Sequence, residues 1–125
     1  MSYLGEGKGC MATLLIVDDN PEMRRMIGQV AAAKGDLIIE CADGDEVTEA
    51  YAAHQPDWVL MDVEMKRMDG LKATAALIRL HPEARVIIVT KYGDAQTRAA
   101  AQEAGARFFV GKDDLLSLRS LLQEH

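Results

Sequence analysis

At 125 residues, 49% of them apolar and 27% charged, the chain is one domain's worth of an ordinary globular composition, long enough to close a hydrophobic core. A formal net charge of −6 without a basic stripe argues against a nucleic-acid surface, and leaves the acidic side chains either spread over a solvated face or gathered at a cation site. Cys10 and Cys41 form neither a disulfide framework nor a C-x-x-C pair, and no apolar run approaches the roughly 18 residues that cross a bilayer, so a reducing, cytoplasmic setting is expected with no membrane contact.

The first ten residues, MSYLGEGKGC, hold three glycines and no apolar h-region. They read as a flexible leader (1–10), with the compact domain over 11–125. Five short apolar runs follow: Thr13–Val17, Leu37–Cys41, Trp58–Met61, Val86–Val89 and Phe108–Val110. They are rich in Val, Ile and Leu and continuous rather than alternating, as expected of strands buried on both faces of a parallel sheet. Cys41, beside such a run, is expected to be a buried small hydrophobe.

Helix signals fill the gaps. Asn20-Pro21 offers a cap and a first-turn proline, and Met23, Met26, Ile27 and Val30 repeat at helical spacing until Gly35. Asp43-Gly44-Asp45 opens a second helix that runs to about His54, and Asp69-Gly70 a third that stops at His81-Pro82. Asp94 caps a fourth, ended by Gly105, and Asp113 or Asp114 a fifth with a leucine stripe. A (βα)5 order predicts an α/β fold, a doubly wound five-stranded parallel sheet in a single domain, because the crossovers must be right-handed. Ligands of such sheets sit outside the carboxyl ends of the strands.

Those ends are polar. Asp18-Asp19 follow the first strand, Asp62 and then Glu64 the third, Thr90 and Lys91 the fourth, and Gly111-Lys112 the fifth. Winding brings Asp18, Asp19 and Asp62 together, and two such charges about 4 Å apart repel by about 4 kcal/mol at an effective dielectric of 20. Either one carboxylate takes up a proton or a cation compensates them. Oxygen ligands without His or Cys favour a hard cation, Mg²⁺ first and Mn²⁺ as a substitute. A cation, the Lys112 ammonium and the Thr90 hydroxyl around a nucleophilic carboxylate are the elements that stabilise phosphoryl transfer.

The sequence resembles the receiver domain of response regulators, the CheY-like, flavodoxin-like phosphoacceptor family of two-component signalling, over nearly all of Met11–Leu122. LLIVDDNPEMRRMI is similar to the family's first strand, acidic pair and first helix. VLMDVEM and MDG resemble its phosphoacceptor strand and loop, VIIVT its fourth strand, and AGARFFVGK its fifth strand with lysine. The resemblance implies that Asp62 is phosphorylated, that Asp19 binds Mg²⁺ directly and Asp18 largely through water, and that Glu64 offers its backbone carbonyl. It implies that Thr90 and Lys112 contact the phosphoryl oxygens. Thr90 and Phe109 would form a switch that remodels the face of the fourth helix, fifth strand and fifth helix. The implied partners are a sensor histidine kinase or phosphotransfer protein and a downstream output domain or protein. The oligomeric state stays open, a homodimer included.

Some positions depart from the common pattern. Lys66 and Asp113 stand where proline is usual, Phe109 lacks the hydroxyl of the more common tyrosine, and Lys91 replaces a small residue. Because Glu64 and Lys91 carry opposite charges beside Asp62 and Thr90, they are candidates for a gate over the site. The competing reading is a phosphorylation-weakened pseudo-receiver serving as an interaction module. Against a phosphohydrolase, the chain has no second aspartate two residues after Asp62; against a flavodoxin-like redox protein, it has no phosphate loop after the first strand.

Overall fold

The computed structural model describes residues 12–91 and 93–124. The leader expected over the first ten residues lies outside them. Five strands, β1 (Thr13–Val17), β2 (Leu37–Cys41), β3 (Trp58–Met61), β4 (Val86–Thr90) and β5 (Phe108–Gly111), form one parallel sheet in the order β2-β1-β3-β4-β5. Five helices alternate with them: α1 (Pro21–Ala31), α2 (Val47–His54), α3 (Gly70–Leu80), α4 (Ala95–Ala104) and α5 (Leu116–Glu124). The doubly wound single-domain architecture is the one the apolar runs predict. None of the described helices is long and apolar enough to cross a membrane.

The alternation of side chains along each strand divides the core into two layers. Leu15, Val17, Val59, Met61, Val86 and Ile88 pack with Val47, Ala73, Leu77 and Ala101 from α2, α3 and α4. Leu14, Ile16, Leu60, Ile87, Val89 and Val110 pack with Ile27, Leu115 and Leu118 on the side of α1 and α5. Both faces of the three inner strands are therefore dry, which is why β1, β3 and β4 read as unbroken apolar runs. Cys41 is buried as expected, and burial pushes its thiol pKa up to about 11, with Glu46 adding to the effect.

Caps fix where the helices begin, and so where the loops at the carboxyl ends run. The Asn20 side chain accepts the N–H groups of Glu22 and Met23, Asp69 that of Lys72 at 2.8 Å, and Asp94 that of Thr97 at 3.0 Å. Gly105 ends α4 at φ 107°, a left-handed conformation that costs glycine little. Some boundaries differ from expectation. α1 stops at Ala31, before Gly35, which lies at φ 93° in the turn to β2. The second helical stretch begins as a 3₁₀ turn over Gly44–Glu46 before α2 proper. Likewise Lys112–Asp114 form a 3₁₀ turn, and Asp114 accepts the Ser117 hydroxyl at 2.6 Å at the entry to α5. Three-residue turns of this kind leave no periodicity for a sequence reading to find. No described peptide bond is cis, the one preceding Asp113 included.

Candidate functional site

The sheet order reverses direction between β1 and β3, and an open α/β sheet has its crevice at such a switch point. Asp18 directly follows β1 and Asp62 directly follows β3, and the two strands pair in register from Leu14 with Trp58 to Val17 with Met61. Continuing the alternation, Asp18 follows Ile16, Asp62 follows Leu60 and Lys112 follows Val110, all residues of the α1/α5 layer. A period of two thus aims two acids and one base at the same point. Backbone bonds lock the turns: the Asp18 N–H donates to Cys41 at 3.1 Å and the Asp62 N–H to Val17 at 2.9 Å.

There the Lys112 ammonium lies 2.9 Å from Asp18 Oδ2 and 3.3 Å from Asp62 Oδ1. Asp18 is 1% exposed and Asp62 6%, whereas Asp19 is exposed. Each of the three acids offers an oxygen within 4.8 Å of the others, and the group contains no histidine or cysteine. Asp18 Oδ1 accepts the Asn20 N–H at 2.9 Å, and its buried Oδ2 meets the Lys112 ammonium at 2.9 Å. An ionised carboxylate has lone pairs enough to meet a cation as well as one ammonium. Three ionised carboxylates and one ammonium sum to −2, which one divalent ion cancels. All-oxygen donors fit Mg²⁺.

Electrostatics mark Asp62 apart. Burial, and then the neighbouring Asp18 charge, push its pKa from 3.8 up to about 6, against the pull of Lys112 and the Val63 N–H. Burial works against the Lys112 ammonium as well, but Asp18 and Asp62 outweigh it and raise its pKa above the ordinary lysine value. Perturbed groups of opposite sign in a cleft are the arrangement expected of a functional site.

The acids open into a cleft of about 680 Å³, whose walls include Glu64, Lys66, Asp69 and Lys91. Glu64 and Lys91, the proposed gate pair, therefore face one cavity, and both are exposed. Thr90 is fully buried at the end of β4, in register with Gly111, and does not itself line the cleft. Phe109 pairs in register with Ile88, so its ring and the Thr90 side chain project from the same face of the sheet. The Arg98 guanidinium from α4 sits 4.5 Å above that ring. A second cleft of about 650 Å³ lies at the opposite ends of the strands, beside Trp58 and Arg119. Its acids are already committed, since Asp36 accepts from Ala12 and Ala33 and Asp57 from Thr13.

Two residues near the site were not singled out from the sequence. Arg24 donates to the Asp18 carbonyl at 2.6 Å and pairs with Glu40 at 2.6 Å, bracing the acidic turn against β2. Asp43, read only as a helix cap, is buried and bonded to the loop that follows Asp62. Neither could be found by local pattern, because each acts on a segment distant in sequence.

Comparison with known proteins agrees with this geometry. The family model described as the response regulator receiver domain matches residues 14–123. The chemotaxis protein CheY of Bacillus subtilis is 35% identical over 100 residues, covering 79% of this chain and 83% of CheY. A protein-glutamate methylesterase/protein-glutamine glutaminase of Geobacter metallireducens is 43% identical over 101 residues, covering 77% of this chain but only 29% of that protein. Among solved structures, the CheX-CheY-BeF3-Mg²⁺ complex from Borrelia burgdorferi superposes with a TM-score of 0.79 at 29% identity, covering 90% of this chain and 86% of the matched one. With acids at the switch point, a lysine at the end of β5 and a family match spanning nearly every described element, the chain belongs to the response-regulator receiver domains of two-component signalling.

Proposed function

We propose that this receiver domain accepts a phosphoryl group on Asp62 in a Mg²⁺-dependent reaction and passes the signal through the α4-β5-α5 face. The observation that carries the reading is a buried Asp62 carboxylate, in contact with Lys112 and sharing an acidic cluster with Asp18 and Asp19, at the floor of an open cleft. The phosphodonor is a sensor histidine kinase or a phosphotransfer protein in the cytoplasm. The chain acts as a phosphoacceptor and turns over no substrate of its own beyond that group.

Asp18, Asp19, Asp62 and the Glu64 backbone carbonyl would hold the ion. Bound Mg²⁺ supplies charge neutralisation for the incoming phosphoryl oxygens. An Asp62 oxygen attacks phosphorus; the new O–P bond forms as the donor's N–P bond breaks, and the leaving imidazole is left to take a proton from solvent. A carboxyl with a pKa of about 6 is mostly ionised at neutral pH, so the nucleophile is available there and lost on acidification. Lys112, already 3.3 Å from Asp62, moves little to meet the phosphoryl oxygens. Thr90 donates its hydroxyl to them, and Phe109, on the same sheet face, follows into the space that Thr90 vacates. Glu64 and Lys91 gate the cleft against water and donors. The Borrelia complex, which contains BeF3 and Mg²⁺, supports the reading for a 29% identical relative.

Mass spectrometry after incubation with acetyl phosphate and Mg²⁺ tests it, beside Asp62→Asn and a metal-free control. One phosphoryl adduct that needs both Asp62 and the metal is expected. Absence of any adduct with acetyl phosphate and with phosphoramidate, in protein that binds Mg²⁺, overturns the proposal in favour of a pseudo-receiver.

A further inference from the structure

We infer that Asp43, which lies outside the acidic cluster, is a positioning residue for phosphotransfer at Asp62: from the turn after β2 it grips the loop that carries Glu64. The inference rests on the phosphoacceptor reading of Asp62.

The loop over residues 63–69 leaves β3 at the candidate acceptor and enters α3 at Gly70. It supplies Val63, Glu64, Met65, Lys66 and Asp69 to the wall of the cleft, so its path decides the shape of the site. Its base is closed by the Gly70 N–H donating to the Val63 carbonyl at 2.7 Å. Its far side is held from another element. Asp43 Oδ2 accepts the Arg67 N–H at 2.9 Å, and Oδ1 accepts the Met68 N–H at 2.8 Å. The side chain that makes these bonds is only 4% exposed.

Capping alone does not account for this. The bond from Asp43 to the Asp45 N–H, which caps the 3₁₀ turn, is the longest of the three at 3.4 Å. A capping carboxylate has no need to be buried or to spend both oxygens on amides 24 and 25 residues away. The contact is also close-fitting: a Cβ at Gly44 would collide with the Met68 carbonyl, so the turn lies directly against the loop. Outside it, Arg67 pairs with Asp45 at 3.0 Å and Glu46 at 3.2 Å. These exposed pairs add little energy but close the same seam. Although burial works against its charge, the loop amides and Arg67 hold the Asp43 carboxyl below the ordinary aspartate range. It is a charged acceptor aimed at two backbone donors, the stronger class of hydrogen bond.

Asp43→Ala removes both loop bonds. Asp43→Asn keeps one accepting oxygen and presents an amide to the other N–H. Leu118→Ala, a core truncation in the opposite layer, serves as a destabilised control with the loop untouched. Three quantities are measured per folded molecule: the acetyl-phosphate phosphorylation rate at saturating Mg²⁺, the Mg²⁺ affinity by calorimetry, and hydrogen exchange of the Arg67 and Met68 amides. Displacement of a reacting group's surroundings by an ångström costs up to about 100-fold. Asp43→Ala should therefore slow phosphorylation by about 10- to 100-fold, weaken Mg²⁺ binding severalfold and speed exchange at the two amides. Asp43→Asn should fall between it and wild type, and decides the matter where Asp43→Ala does not fold. Leu118→Ala should keep the wild-type rate and affinity. Wild-type phosphorylation in the Asp43 variants overturns this inference and leaves the phosphoacceptor reading intact. If the wild-type protein binds Mg²⁺ but takes no phosphoryl group, that reading fails instead, and unchanged Mg²⁺ affinity in the variants overturns the positioning role as well. A wild-type protein that does neither removes both.

Discussion

Asp62→Asn should stabilise this protein at neutral pH, and the gain should vanish toward acid. In the fold the Asp62 pKa stands at about 6, against 3.8 for the free side chain, first because it is buried and next because Asp18 is beside it. Folding therefore works against the ionised form. Stability contributed by the protonated carboxyl is intact below the unfolded pKa and is lost as pH rises through 4 to 6, because the native state binds the extra proton across that interval. The rise corresponds to a penalty of about 3 kcal/mol at pH 7.5 and about 1 kcal/mol at pH 4.5. Asparagine escapes the penalty but gives up the contact with Lys112, so the net gain at pH 7.5 should be about 1–3 kcal/mol. For a chain of this length each kcal/mol moves the midpoint by about 3–5 °C. Urea denaturation of both proteins at the two pH values, with a chelator present, measures the difference. The advantage of Asp62→Asn should grow by about 2 kcal/mol from pH 4.5 to 7.5. Mg²⁺ at about 100 times its Kd should then stabilise the wild type by about 2.7 kcal/mol and erase most of that advantage. An advantage of equal size at both pH values, or a variant less stable at pH 7.5, would refute the reasoning.

Other perturbations probe the same architecture. Lys112→Met removes the cation between Asp18 and Asp62, so it should raise the Asp62 pKa above about 6 and cost about 3 kcal/mol at neutral pH, less with Mg²⁺ present, as pH-dependent denaturation will register. Gly70→Ala should cost about 1–3 kcal/mol in thermal denaturation and slow phosphorylation, because a Cβ there collides with the Asp62 carbonyl at the entry to α3. Lys91→Ala should change the phosphorylation or dephosphorylation rate with stability within about 0.5 kcal/mol of wild type; unchanged rates in both directions rule out the gate. Cys41, buried and with a thiol pKa of about 11, should resist alkylation at pH 8 in the native state and react on addition of denaturant, which peptide mapping will show.

The limits of what the sequence made legible have a physical pattern. Strands β1, β3 and β4 stood out because both faces are dry, and their unbroken apolar runs admit few other readings. The acids Asp18, Asp62 and the base Lys112 stood out for a related reason. Each follows such a strand directly, so fixing the strand fixes the end of the sheet at which its charge emerges. Winding order then brings together residues far apart in sequence, and no local detail is needed. The 3₁₀ turns before α2 and α5 have no mark of their own in the sequence, because capping aspartates suit either kind of start. Asp43 is the more instructive case. Its pattern, Asp-Gly-Asp before a helix, is that of a cap, and in that role its carboxylate accepts the Asp45 N–H. What the pattern cannot carry is the other half of its bonding, to Arg67 and Met68, because those partners are backbone amides whose positions any side chain could have provided. Residues that act through side-chain charge at a strand end leave a trace in sequence, whereas one that orders a distant loop by its backbone leaves none. The supporting structure around an acceptor is therefore where coordinates add most: in this chain they add Asp43 and Arg24 to a site whose charged centre the strand ends had already marked.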